Sequence, residues 1–173
     1  MVERQERTAP DAVLTRIGQA VMLHHGGDRE EARDRLLRLW AEIGEDGAPL
    51  HRCTLAHYMA DTQDDPDTEL AWDLRALSAA DELGDGRPAA DRDELAVRAF
   101  YPSLHLNLAA DYARLGRHDA ARSHLRLARG ALATLADGGH GDGVRTALAR
   151  LEARLDETGP GGDGRPGPPR QRP

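Results

Sequence analysis

Apolar residues return along this chain with the period of an α-helix, and that regularity narrows the fold more than any other feature. Ala32, Leu36, Leu39, Trp40 and Ile43 stand at i, i+4, i+7, i+8 and i+11, a single stripe on a helix surface. Ala121, Leu125, Ala128, Leu132 and Leu135 repeat the pattern, as do Val144, Leu148, Leu151 and Leu155. β-Branched residues are scarce and aromatic residues make up only 3%, whereas the strong helix formers Ala, Leu, Arg and Glu dominate. The spacing predicts an all-α chain of seven main helices, near residues 11–25, 28–44, 51–63, 67–84, 102–115, 118–136 and 142–157.

The punctuation between these stripes is short. Gly26-Gly27, Gly44, Gly116 and Gly138-Gly139 stand where helix C-caps favour glycine. Asp28 and Glu31 have capping-box spacing at the start of the second helix. Residues 84–92, GDGRPAADR, read as a longer loop, and 93–100 as an extra helical turn before Tyr101-Pro102. The helix at 67–84 is apolar on two faces, Leu70, Leu74 and Leu77 on one and Trp72, Ala76, Ala79 and Leu83 on the other, as a sandwiched element should be. One domain is expected over 11–158, preceded by a flexible N-terminus at 1–10. Residues 159–173 hold five Pro and five Gly, cannot form a packed core, and are expected to be a disordered tail.

Charge excludes one partner class. The net charge is −7, all 23 basic residues are Arg, and no basic stripe appears outside the last few residues, so nucleic acid is not an expected partner. No apolar run approaches the roughly 18–20 residues of a membrane-spanning helix. The charged start, MVERQERTAPDAVL, lacks the apolar core of a signal peptide. The single cysteine, Cys53, has no partner for an internal disulfide. A cytoplasmic protein without a membrane partner is the expectation.

One segment is more specific. Residues 105–128, HLNLAADYARLGRHDAARSHLRLA, resemble the tetratricopeptide repeat (TPR) family, whose helix-turn-helix unit carries L-G-x2-Y, a small turn residue, then A-x3-F and a further Ala. Leu108 and Ala109 stand at the L-G positions, Tyr112 at the Tyr, Gly116 in the turn, Ala121 and Leu125 at the A-x3-F positions, and Ala128 at the last Ala. Ala20, Leu23, Gly27, Ala32, Leu36 and Leu39 sit at the same mutual offsets, and 50–83 is a degenerate copy with a longer loop, DTQDDPD. The resemblance spans about 12–137. It implies a short right-handed stack of about three helix pairs, closed by a C-terminal capping helix whose outer face carries Arg145, Arg150, Glu152, Arg154 and Glu157. It further implies an interaction protein rather than an enzyme, without a cofactor, recognising a protein or peptide on its concave face. With so few repeats, self-association into a homo-oligomer through a terminal helix is also expected.

Residues 50–67, LHRCTLAHYMADTQDDPD, hold the densest set of reactive side chains. On a helix, Cys53, His57 and Asp61 share one face at i, i+4 and i+8, away from Leu55 and Met59. His51 falls about 200° from Cys53 at about 100° per residue, so it does not join them. In the repeat register that face lines the groove beside His24 and His25. The candidate groove residues are therefore His24, His25, Cys53, His57, Asp61 and Arg114.

Three readings of the cluster stay open. It is a polar face that hydrogen-bonds a partner; or it holds zinc or another transition metal through Cys53, His57 and His25 or His24, with Asp61 as a further ligand; or Cys53 is a nucleophile with His57 as its base. The neighbouring acids have a local account. Asp65 can cap a helix that starts on Pro66, with Asp67 and Glu69 in its positive first turn.

Overall fold

The structure, a computed structural model, describes residues 11–84, 92–135 and 141–158, and among them it is all-helical. The expectations for 1–10, for most of the 84–92 loop, for Gly138-Gly139 and for 159–173 lie outside the described residues. The helices are α1 (Ala12–His25), α2 (Arg29–Ile43), α3 (Pro49–Asp61), α4 (Pro66–Gly84), α5 (Arg92–Arg114), α6 (His118–Thr134) and α7 (Gly141–Glu157). Among the described residues no helix is long and apolar enough to cross a membrane.

Local chemistry explains where several helices start. The first amides of a helix have no partner within it, and short acceptor side chains supply one. Asp11 accepts from the amides of Val13 at 2.9 Å and Leu14 at 3.1 Å, and Asp28 from Glu31 at 3.4 Å. Asp65 accepts from the amide of Thr68 at 3.0 Å and from its hydroxyl at 2.8 Å, and Pro66 takes the first helical position. α3 opens on Pro49, earlier than the spacing predicts, because proline needs no amide partner there. Asp64 has another role: it pairs with Arg29 at 2.7 Å and Arg33 at 3.1 Å. The same two arginines donate to the carbonyl of Thr62 through Nε, at 3.0 and 2.9 Å, and so close the C-terminal end of α3.

α5 departs from expectation. The extra turn and the helix expected from 102 are one element that starts at Arg92 and carries Pro102 inside it. Proline removes a backbone hydrogen bond and tends to break a helix. Here Val97, Pro102 and Leu104 are all buried, and that apolar burial holds the element together.

Consecutive helices pack as pairs, α1 with α2, α3 with α4, and α5 with α6. α1, α3, α5 and α7 form a contiguous row, and α2, α4 and α6 each also touch the odd-numbered helix that follows. Among the described residues the backbones of α2 and α4 do not come close, nor do those of α4 and α6. Two of the inter-helix turns are the same object. Gly27 and Gly116 have φ of 94° and 73°, a backbone that favours glycine. In each turn the next amide reaches back five residues, Asp28 to Leu23 at 2.9 Å and Arg117 to Tyr112 at 2.8 Å. Ala20 and Ala32 in the first pair, and Ala109 and Ala121 in the third, are wholly buried.

The helix enclosed on several sides is α3, which touches α1, α2, α4 and α5 and buries Leu50, Cys53, Leu55, Ala56, Met59 and Ala60. The expected second apolar face of α4 fails at Leu74, which is 41% exposed, although α4 does pack against both α3 and α5. Trp40 meets Trp72 edge to face, ring centres 5.1 Å apart, and joins the first two pairs. The core has two parts. One runs through α1–α4 to Val97 and Leu104 of α5, and the other gathers Ala109, Ala121, Leu125, Ala128, Leu132, Leu148, Leu151 and Leu155.

Candidate functional site

Where α3, α4 and α5 meet, two carboxylates occupy core positions. Asp73 lies on α4 in line with Leu70, Ala76 and Ala80, and Asp111 on α5 in line with Leu104 and Leu108. The helical period that buries those neighbours buries the acids too: Asp73 is 0% and Asp111 1% exposed. Among the described residues, none of their four carboxylate oxygens meets a hydrogen-bond donor. A buried polar group without a partner is costly, and a buried charge more so.

Glu69, one turn before Asp73, completes the cluster. One oxygen from each of Glu69, Asp73 and Asp111 lies within 4.8 Å of the others. Arg114, three residues after Asp111, pairs with Glu69 at 2.5 Å and stands 3.9 Å from Asp111 Oδ1. On the α3 side, His57 Nδ1 is 3.9 Å from Asp73 Oδ1 and is itself buried without a partner. Burial, with Asp73 and Glu69 nearby, pushes the Asp111 carboxyl up to about 9, and the Arg114 guanidinium only partly opposes this. Asp61 keeps a surface open to water while its other side is crowded. That crowding raises its carboxyl, His57 and His24 pull it back down, and Asp73 adds to the rise.

Beside this acidic end lies an apolar cavity of about 560 Å³. Tyr58 of α3, Ala96, Ala99 and Phe100 of α5, Leu132 and Leu135 after it, and Val144 of α7 line it, and His57 forms part of its wall. His57 thus borders both regions, its ring 5.7 Å from Phe100 and its Nδ1 facing Asp73.

The residues singled out in the sequence separate into two groups. His24 and His57 both come close enough to Asp61 to act on it electrostatically, and Arg114 reaches the neighbouring acids through Glu69. Cys53 does not line the groove. It is 0% exposed inside the first core, because α3 is enclosed by four other helices. Burial, and then Asp81, pushes its thiol up to about 12, which disfavours the thiolate that both a metal ligand and a nucleophile require. His25 is exposed at the end of α1, with its ring centre 5.8 Å from that of His24. Among the described residues, Glu69, Asp73 and Asp111 form the one group of three metal-ligating side chains within such reach, and it includes none of Cys53, His57, His24 and His25.

Two sets of residues escaped the sequence reading. Asp73 and Asp111 carried a signal, an acid standing inside an apolar stripe. The pairing of His105 with His124 carried none, since only the packing of α5 on α6 brings them together. Their Nδ1 atoms are 3.0 Å apart, and the rings stack between Tyr101 and Tyr112. Burial lowers the pKa of both imidazoles, and His124 lowers that of His105 further. No protein-family model matches the chain, and no curated protein or solved structure is similar to it.

Proposed function

We propose that the chain is a protein- or peptide-binding module of the TPR-like kind, a right-handed stack of three helix pairs with α7 as its cap. The contiguous row of odd-numbered helices supports that reading, as do the matched turns at Gly27 and Gly116. The observation that carries the binding role is the apolar cavity along α3, α5 and α7, with Tyr58 and Phe100 at its wall. A stable protein surface rarely leaves aromatic rings around an open hollow without an occupant. The occupant that fits is a segment presenting one apolar anchor, with polar groups extending toward His24, Asp61 and Arg114.

The experiment is site-specific photo-crosslinking from position 58 in cells, with position 37 on α2 as the control surface. Leu37 is 44% exposed and does not line the cavity. The expected result is a discrete adduct from position 58 only. A synthetic peptide from the crosslinked segment should then bind the purified chain, and Phe100→Asp should weaken it at least about tenfold, the scale of one lost apolar anchor. Identical adducts from both positions, or none from position 58, would refute the binding role.

A further inference from the structure

We propose that Glu69, Asp73, Asp111 and His57 form a buried binding site for one divalent metal cation. The site shares only His57 with the transition-metal set expected from the sequence, and it stands independently of the peptide-binding reading.

Four observations converge on it. Asp73 and Asp111 bury all four oxygens, and no other residue among those described offers them a hydrogen bond. The second observation comes from another helix and another chemistry. His57 is 9% exposed, and its Nδ1, also without a partner, is directed at the acids from 3.9 Å. The imidazole stands outside the 4.8 Å reach that the three acids share, and a turn of its side chain toward Asp73 would bring it in as the one nitrogen ligand.

The third observation is distance. Oxygens on opposite sides of an octahedral cation lie about 4–5 Å apart at bond lengths of about 2.0–2.4 Å. The three carboxylate oxygens lie within 4.8 Å of one another, so side-chain rotation alone can bring them onto one ion. The fourth is charge. In the metal-bound state, with all three carboxyls deprotonated, three carboxylates and one guanidinium leave two negative charges for a divalent cation to neutralise. Glu69, whose side chain is 19% exposed, is the point of entry from solvent.

The donor set also selects the ion. Carboxylate oxygens suit Mg2+, Ca2+ and Mn2+, and one imidazole shifts the preference toward Mn2+ or Fe2+. No thiolate takes part, so the site does not resemble the sulfur-rich structural zinc centres. The ion would tie α3, α4 and α5 together where the two parts of the core adjoin.

The test uses the full chain, stripped with chelator, dialysed and titrated with Mn2+. Native mass spectrometry is expected to show one Mn2+ per chain. The thermal midpoint should rise by about 5–10 °C at a hundredfold excess over Kd. Asp73→Asn and Asp111→Asn keep the side-chain shape and should each weaken uptake at least about tenfold. If those variants lose their helical circular dichroism, the native chain still decides the matter. Electron-spin-echo modulation of its bound Mn2+ should carry one coordinated imidazole nitrogen, and His57→Gln should lose it. Failure to retain Mn2+, equal uptake by an Asp73→Asn/Asp111→Asn double variant, or bound Mn2+ without imidazole coupling overturns the proposal. So does a metal-free Asp111→Asn chain that melts higher while the native chain takes up no ion, because that identifies a pair of acids sharing a proton.

Discussion

The His105–His124 contact works only while at least one ring is neutral. A nitrogen-to-nitrogen hydrogen bond of 3.0 Å needs one Nδ1 to donate and the other to accept. Burial lowers both pKa values, with Asp81 alone pulling His105 back upward. The folded state therefore binds fewer protons than the unfolded state just below the ordinary histidine value of about 6.5. The pair's contribution is complete above about pH 6.5 and is lost as pH falls through that value toward the depressed folded ones. The thermal midpoint should drop between pH 7.5 and 5.5. His124→Phe keeps a ring between His105 and Tyr112 but removes one half of the hydrogen bond, and it should flatten that drop. An unchanged pH profile in the variant would show that the fall arises elsewhere.

At the scale of the helix, glycine acts with opposite sign at different places. Gly116 sits in the α5–α6 turn with φ of 73°, where an added Cβ meets no atom but the backbone conformation itself disfavours it. Gly116→Ala should cost about 1–2 kcal/mol. Gly18 and Gly130 are exposed inside α1 and α6, and a Cβ there also meets nothing within 4 Å. Gly18→Ala and Gly130→Ala should each stabilise by about 0.5–1 kcal/mol, because alanine restricts the unfolded chain and favours the helix. Urea unfolding midpoints of the three variants check both signs at once. Caps and turns of this kind were legible from neighbouring residues alone. Pro102 was misleading for the same reason: its local preference ends a helix, and only distant packing carries α5 through it.

For the whole molecule, the division of the core matters most. α7 shares the second part of the core with α6 and the later half of α5, and among the described residues it does not pack against α1–α4. In an array stabilised by neighbour contacts, damage at one end stays near that end until the whole unfolds. Leu151→Ala, at a fully packed position of α7, should lower stability by about 2–5 kcal/mol. Hydrogen exchange should accelerate through α6 and α7 well before α1 and α2. Uniform acceleration along the chain would instead mean that the two parts of the core unfold as one.

The helical class, the number of helices and several of their starts follow from the sequence itself, because they depend on residues within about one turn of one another. The same holds for the small residues at Ala20, Ala32, Ala109 and Ala121, whose spacing marks where paired helices approach. Which side chains form the candidate site depends on partners on other helices, from His57 and Asp73 to Glu69 and Arg114. Cys53 and His57 share a helix face, yet enclosure by four helices seals Cys53 into the core and leaves His57 at the edge of a cavity. Asp73 and Asp111 interrupt apolar stripes in plain view. Only the packing of α4 against α5 turns two separate interruptions into one buried pair, since burial and charge proximity are properties of the assembled helices and not of any one of them.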